Sequence, residues 1–555
     1  MGAAVVAAGG DRRPARVRRE AAAAGALALL LYLLTLAANH GEAEDGVTYA
    51  AGVREGTAAE LSIAPHLAYS WVSWALYNAV RGLGYDGGPL LVMQVMNACL
   101  GALGLALLWH LMRAAVPGRT AAFVACGVLG TSFGYWFYSA EAEVYVLSAV
   151  LLVACLWAAW RAALEPSLGR FALLGALNGL AVLGHDTNVL FALVVAAVLF
   201  LVRGEVARAL LLRCGAVYAA AAVAVVVPPY AAAIVGLGFS PGEAYDWLTG
   251  YAQSGQWGKT DATNVPKAAV GAGRALVGGH SVFALIDKDT ASGALQGKLL
   301  REELFMARDT SKAAGAAVLA PVLVVLGGLA MAARGWLRGR ALDDRQRTLA
   351  WLCAAWLVAY VPFFVWWEPA NVEFWIAPWI AAAVLVSLAL EKGGGRLVGP
   401  VMVGALFLVN LLGSVLPLAD ESRDYWRERV AWYEANAGPR DLVVTDGYIW
   451  SAYVRYFGAT RVLDLADLRD PALAREAIAS RARALGAERV LLSEMVLDPG
   501  GDRYSSCEEV EEACAKAPAL RAALLPGSRR LASAPLETVW ELRLPDAEPR
   551  RPSGP

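Results

Sequence analysis

The sequence predicts an all-α polytopic membrane protein of about eleven transmembrane helices, closed by a small C-terminal α/β domain. Three observations predict it. Of 555 residues, 58% are hydrophobic and 17% charged, with a mean hydropathy of +0.48. Soluble chains carry about 25% charged and about 45–50% apolar residues. Uncharged stretches of span length recur down to residue 419, and from 420 onward the composition becomes that of an ordinary soluble domain. The net charge of −1 offers no basic field, so nucleic acid is excluded as the main partner.

A bilayer-crossing helix needs about 20 apolar residues, with about 17 to 25 tolerated. Stretches free of Asp, Glu, Lys and Arg run 21–41, 87–112, 120–140, 144–160, 171–185, 187–202, 214–242, 313–333, 348–367, 374–390 and 397–419. The first follows a tail, 1–20, containing RRPARVRRE; its length favours an uncleaved anchor over a signal peptide. The fifth and sixth have only 15 and 16 residues and are split by Asp186 in the run GHDTN. They form either one over-long helix or a hairpin of two short ones.

Charge decides between them, because cytoplasmic loops are enriched in Lys and Arg. With a hairpin, the inner segments 1–20, 113–119, 161–170, 203–213, 334–347 and 391–396 hold 19 basic residues against 7 acidic. The short outer segments 42–86, 141–143, 186 and 368–373 hold 2 basic, Arg54 and Arg81, against 11 acidic. This places the N-terminus in the cytoplasm and the C-terminus outside. The expected organisation is a cytoplasmic tail 1–20, a transmembrane module 21–242, an outer loop 243–312 with surface-lying helices, further spans 313–419, and an outer α/β domain 420–555.

In that last domain DLVVTDG reads as a strand leading into a helix, ALAREAIASRARALGAERVLLSE as helix, Gly turn and strand, and TVWELRL as a closing strand. Asp446, after the first strand, is expected to cap a loop. Cys99, Cys126, Cys155, Cys214 and Cys353 fall in spans, where a thiol is a small hydrophobe. Cys507 and Cys514 lie in the outer domain, seven residues apart in an oxidising compartment, and are expected to pair.

The polar clusters fall on one face. The first outer loop, NHGEAEDGVTY, carries Glu42, Glu44, Asp45 and Tyr49; the second, YSAEAEVY, carries Glu141, Glu143 and Tyr145. The third is the His185–Asp186 turn, and a later one, WWEPANVEFW, carries Glu368, Asn371 and Glu373. Fifteen helical residues rise about 22 Å, less than the roughly 30 Å hydrocarbon core. His185 and Asp186 are therefore expected in a polar dent. Each cluster also has a plain reading. Asp45 serves equally as a helix cap, His185–Asp186 as a turn, and Trp366, Trp367 and Trp375 as an interfacial aromatic belt. Trp71, Trp74 and Tyr77 in LAYSWVSWALYNAVRGL suit a helix lying in the interface. The functional reading rests on four loops agreeing.

With these residues in place, the chain resembles the GT-C superfamily of polytopic glycosyltransferases, and within it the protein O-mannosyltransferase-like branch. Asp45 and Tyr49, with Glu44 beside them, match that family's first-loop acid and following Tyr. LAYSWVSWALY is similar to its interfacial helix, AEVY to its second-loop motif, and His185 to the His ending its fifth span. The resemblance covers roughly 21–240. It departs at IAPHLAY, where Pro65 and His66 stand in reversed order relative to a His-Pro-Pro-Gly turn.

The resemblance implies transfer of a sugar from a polyprenyl-phosphate donor to an acceptor hydroxyl, with inversion, on the extracytoplasmic face of a membrane. A bacterial inner membrane is the expected location. Asp45 would be the general base, with Glu44 and Glu143 as further catalytic carboxylates. Tyr49, Arg54, Tyr145, His185, Asp186, Glu368 and Asn371 would line the substrate site. Arg54, Arg81, Lys259, Lys267 and Arg274 are the cations available to the leaving phosphate. The resemblance fixes no cofactor; a divalent metal, Mg or Mn, would be held by Asp45, Glu143 and His185. The acceptor, whether protein, lipid or glycan, stays open. Competing readings are a lipid-linked saccharide flippase, a non-catalytic membrane scaffold, and a ligase or polymerase moving a whole lipid-linked glycan.

Overall fold

The computed structural model describes residues 12–543 except 44, 205, 255–256, 287–299, 339–341, 393–396, 466–467, 469, 502–503, 505–506, 508–510 and 534–535. It separates into two compact units. The first comprises the described residues of 1–37, 52–285 and 310–419; the second, those of 38–51, 286–309 and 420–555.

Among the described residues, seven helices are long and apolar enough to cross a membrane: Pro89–Ala115, Tyr145–Leu164, Arg208–Leu237, Lys312–Leu337, Asp344–Trp367, Glu373–Glu391 and Val398–Leu418. A bent pair makes an eighth where its two helices are counted together. Arg119–Thr131 and Phe133–Ser139 meet at 67°, because Ser132 takes an extended conformation (φ −64°, ψ 143°) between them. The expectation of about eleven holds in part, and the remaining uncharged stretches form shorter or partial helices. Helix Arg12–Leu34 spends its first two turns on the charged RRPARVRRE run and ends at Leu34, so the uncharged 21–41 stretch is only partly helical. The 171–202 stretch is, as expected of a hairpin, two shorter apolar helices, Leu168–Gly184 and Asp186–Val202, rather than one long one.

Packing in the first unit relies on small residues where helices touch. A Cβ on Gly25 would stand 3.2 Å from the Ala102 carbonyl and the Ala106 methyl, so Arg12–Leu34 lies directly against Pro89–Ala115. Likewise a Cβ on Gly179 would stand 2.9 Å from the Ala222 carbonyl, which sets Leu168–Gly184 against Arg208–Leu237. That last helix is otherwise almost wholly exposed, as a lipid-facing helix should be. Buried amides hold the irregular segments, since an unpaired amide would be costly there. Asn410, just before a π turn at Leu411–Val415, donates to the Thr131 and Leu276 carbonyls at 2.7 and 2.8 Å and accepts from Gly278 N–H at 3.1 Å.

The second unit is built on a five-stranded sheet of order β2-β1-β3-β5-β4, comprising β1 (Leu442–Thr445), β2 (Arg461–Asp464), β3 (Val490–Ser493), β4 (Ser528–Ser533) and β5 (Thr538–Leu542). The β1 strand pairs in parallel with β2 and β3, while β5 runs antiparallel to β3 and β4. The predicted strand–helix, helix–turn–strand and closing-strand segments all lie in it. Gly486 (φ +59°) makes the left-handed cap that ends helix Ala474–Leu485. Leu442, Val444, Ile478, Leu492, Leu520 and Leu524 centre its core. Cys507 and Cys514 are joined by a disulfide, with Cα atoms 5.6 Å apart. Segments remote in sequence dock onto it: Asn39 Nδ2 donates to the Arg423 carbonyl at 2.7 Å, and His40 N–H to Asp424 Oδ2 at 2.9 Å.

Candidate active site

The second predicted loop is not a solvated rim. Glu141 and Glu143 are 0% and 1% exposed, which excludes the plain reading of acids hanging outside a span. Asn97, a third of the way along Pro89–Ala115, explains the burial. Its Nδ2 donates to the carbonyls of Glu141 and Glu143, both at 2.6 Å, and so pulls the loop inward. Gln94, one turn earlier, donates to the Ala37 carbonyl at 2.8 Å and to Glu141 Oε1 at 3.4 Å. The Glu141 carboxylate also accepts from Ala142 N–H at 2.7 Å, and Glu143 Oε2 from Val144 N–H at 3.2 Å. Tyr69, from the helix Leu67–Gly82, meets Asn97 at 3.2 Å. Burial, followed by the nearby Glu143 carboxylate, pushes its hydroxyl well above the usual tyrosine range, so it stays neutral.

Tyr145 opens the next helix and reaches the WWEPANVEFW loop. Its hydroxyl donates to Glu373 Oε1 at 2.7 Å, and Tyr138 donates to Glu373 Oε2 at 3.4 Å. Asn371 Nδ2 bridges two carboxylates, donating to Glu373 Oε1 at 2.7 Å and Glu368 Oε2 at 3.3 Å. Glu368 Oε2 also accepts from Trp257 Nε1 at 3.0 Å. Two of the four predicted loops therefore meet: Tyr145, Glu368 and Asn371 share one network. Glu373, only one of several acids in the sequence reading, is its centre.

His185 stands beside it, its ring 5.3 Å from Tyr145 and 6.1 Å from Phe374. The chain breaks here because His185 is extended (φ −163°, ψ 127°) and a 3-10 turn, Asp186–Leu190, follows. Asn188 seals the break, donating to Ser148 Oγ at 3.0 Å and to the Ala181 carbonyl at 2.9 Å. Tyr145, Ser148, His185, Asn188, Glu373 and Phe374 help line a cavity of about 20 Å³. That is room for about one buried water, far below the roughly 300 Å³ of a small-molecule pocket. Asp186 points away from the core and is 52% exposed.

Other predicted residues are placed separately. Asp45, in the second unit, begins helix Asp45–Glu55 and accepts from the buried Tyr49 hydroxyl at 3.3 Å, one turn on. Glu44 lies outside the described residues. Arg54 and Arg81 are exposed.

Two positions differ from the sequence reading. Asp446 does not cap: the following helix starts from Gly447 without a side-chain cap, and Asp446 Oδ1 is buried with no hydrogen-bond partner among the described residues. Burial, opposed by Arg301, lifts its carboxyl to about 7. Asn97 is not among the residues singled out from sequence, although it and Gln94 are two amides in an otherwise apolar run, which is the available signal.

No family model matches the chain, and no curated protein matches it in sequence. Its structure is similar to the crystal structure of ArnT from Cupriavidus metallidurans bound to undecaprenyl phosphate. The TM-score is 0.56 at 14% identity, over 93% of this chain and 96% of that one. The apo crystal structure of the same ArnT matches over the same shares at a TM-score of 0.50 and 14% identity. At that identity the likeness is one of fold: this chain is an integral membrane protein with an ArnT-like fold.

Proposed function

We propose that the chain is a membrane glycosyltransferase that moves a sugar from a polyprenyl-phosphate donor to an acceptor hydroxyl, with inversion. The observation that carries this reading is the fold likeness, over nearly the whole chain, to a structure bound to undecaprenyl phosphate. The buried carboxylate loop at 141–143 and the Tyr145–Glu373–Asn371 network support it. In this reading Asp45 takes the proton of the acceptor hydroxyl as its oxygen bonds the anomeric carbon. The bond from that carbon to the phosphate oxygen breaks, and polyprenyl phosphate leaves with the electron pair. A base needs hydrogen-bond reach to that proton; the Tyr49 hydroxyl, already donating to Asp45, orients its carboxylate. Arg54 and Arg81 are the candidate cations for the departing phosphate.

The 20 Å³ cavity is too small for a sugar ring, so Tyr145, His185 and Glu373 shape a wall, and Asp186, 52% exposed, is the neighbouring side chain open to a ligand. The protein O-mannosyltransferase-like resemblance makes a hexose, mannose first, the donor sugar to try. Incubating purified protein with a panel of polyprenyl-phosphate sugars and measuring released polyprenyl phosphate tests the reading. Release with at least one donor is the expected result, and none across the panel, acceptors supplied, counts against it.

A further inference from the structure

Helix Arg12–Leu34 has two unlike faces. Val17, Ala21, Ala28 and Tyr32 are buried, and the Tyr32 hydroxyl donates to the Gly130 carbonyl at 3.0 Å. The other face is open: Leu27, Leu30 and Leu34 are 70%, 55% and 74% exposed, the pattern of a side turned to lipid. Arg16 and Arg19 continue that same face. Arg16 precedes Leu27 by 11 residues and Leu34 by 18, about three and about five helical turns, and Arg19 precedes Leu30 by 11. Eleven residues rise about 16 Å, close to the roughly 15 Å of hydrocarbon in one leaflet. A path lined by leucine therefore ends, one leaflet away, on arginine.

At that end the charges do not cancel. Three guanidiniums converge on Glu20: Arg16 Nε donates to Oε1 at 3.1 Å, Arg119 Nε to Oε1 at 2.7 Å, and Arg113 Nε to Oε2 at 3.0 Å. Arg113 is committed to the fold, its Nη1 donating to the carbonyls of Val116, Pro117 and Gly118. Arg16 and Arg119 are not: their side chains are 62% and 55% exposed, and the terminal N–H groups of Arg16 meet no acceptor among the described residues. Arg18 and Arg19 are exposed and pair with no acid among the described residues. One further acid stands near, Glu391, whose Oε1 a Cβ on Gly118 would meet at 2.7 Å. Five arginines against two glutamates leave three positive charges uncancelled.

We propose that this end of Arg12–Leu34, with Arg119, is a docking site for one anionic phospholipid. Its phosphate lies on Arg16, Arg19 and Arg119, and an acyl chain runs along the Leu27–Leu30 face. Glu20, accepting from Arg16 and Arg119 on one oxygen, holds side by side two cations that would otherwise repel. The lipid belongs to the leaflet on the side where the basic segments gather. The site does not depend on glycosyl transfer, and its readout is lipid binding rather than turnover.

The test uses the full chain in detergent, titrated with dioleoyl phosphatidylglycerol or dioleoyl phosphatidylcholine, with bound lipid counted by native mass spectrometry. One phosphatidylglycerol per chain is expected, held at least about tenfold more tightly than phosphatidylcholine. The double variant Arg16→Gln/Arg19→Gln changes only exposed side chains and should lose about fivefold in affinity for each arginine removed. Arg203→Gln/Arg208→Gln removes two exposed arginines from another short segment and should keep the preference. Equal affinity for the two lipids, equal loss in the two double variants, or displacement of phosphatidylglycerol by inorganic phosphate overturns the proposal.

Discussion

Two carboxylates, one in each unit, accept hydrogen bonds from tyrosines and are otherwise unlike. Glu537, in the second unit, is 2% exposed and meets Arg429 at 2.5 Å, Tyr433 at 3.0 Å, Ser493 at 2.7 Å and Glu494 N–H at 3.2 Å. Burial raises its pKa, and Arg429, facing it, opposes that shift. Glu373, in the first unit, is half-buried, accepts from Tyr145, Tyr138 and Asn371, and lines a cavity. A carboxylate closed by a guanidinium inside a core is an element of structure. One that lines a one-water cavity, with neutral donors around it, is held by hydrogen bonds alone and not by an ion pair.

The largest effect that would sharpen this contrast is at Arg429. Arg429→Met leaves Glu537 buried without its charge partner and should cost the second unit about 3–5 kcal/mol, read as a lowered unfolding midpoint. If Glu373→Gln destabilises the protein as much as Arg429→Met does, the distinction between the two carboxylates fails. Asp446 gives a pH signature confined to the second unit. Its pKa, raised from 3.8 to about 7 by burial, means the folded state holds the proton more tightly than the unfolded chain. Its contribution is present in full below about pH 4 and is lost as pH rises towards 7 and beyond. Asp446→Asn should therefore add about 1–3 kcal/mol at pH 8 and almost nothing at pH 4; equal shifts at both pH values would contradict the assignment.

Replacing Cys507 and Cys514 by Ser opens a short loop and should cost about 2 kcal/mol, visible in thermal unfolding. The smallest change in stability is expected at Glu373→Gln, about 1 kcal/mol or less, because an amide oxygen still accepts from Tyr145. Its transfer rate should nevertheless fall about tenfold, since hydrogen bonds to a charged acceptor are the stronger ones. An unchanged rate would return Glu373 to a purely structural role.

Much of this arrangement is legible in the sequence, and the remainder has physical reasons for being hidden. Alternation and a Gly stop mark Ala474–Leu485 and Val490–Ser493 because local period and cap chemistry decide them. Short strands such as Arg461–Asp464, half-exposed along one edge, carry no such pattern. The docking of 38–51 with 420–555 depends on hydrogen bonds such as Asn39 to Arg423, whose partners are 384 residues apart, beyond any local signal. Sorting charges by side brought Tyr145, Glu368 and Asn371 together, since acids gathering in short loops is a compositional fact. The break at Ser132 was silent, because GTSFG contains no Pro and its uncharged flanks read as one span.

The central claim is that this fold transfers a sugar with Asp45 as base, and one assay tests it most directly. Wild-type and Asp45→Asn protein, both confirmed in the membrane, are compared for release of polyprenyl phosphate from a polyprenyl-phosphate sugar in the presence of acceptor. The account predicts release by the wild type and a loss of at least about 10²-fold in the variant. Near-normal turnover by Asp45→Asn would contradict it.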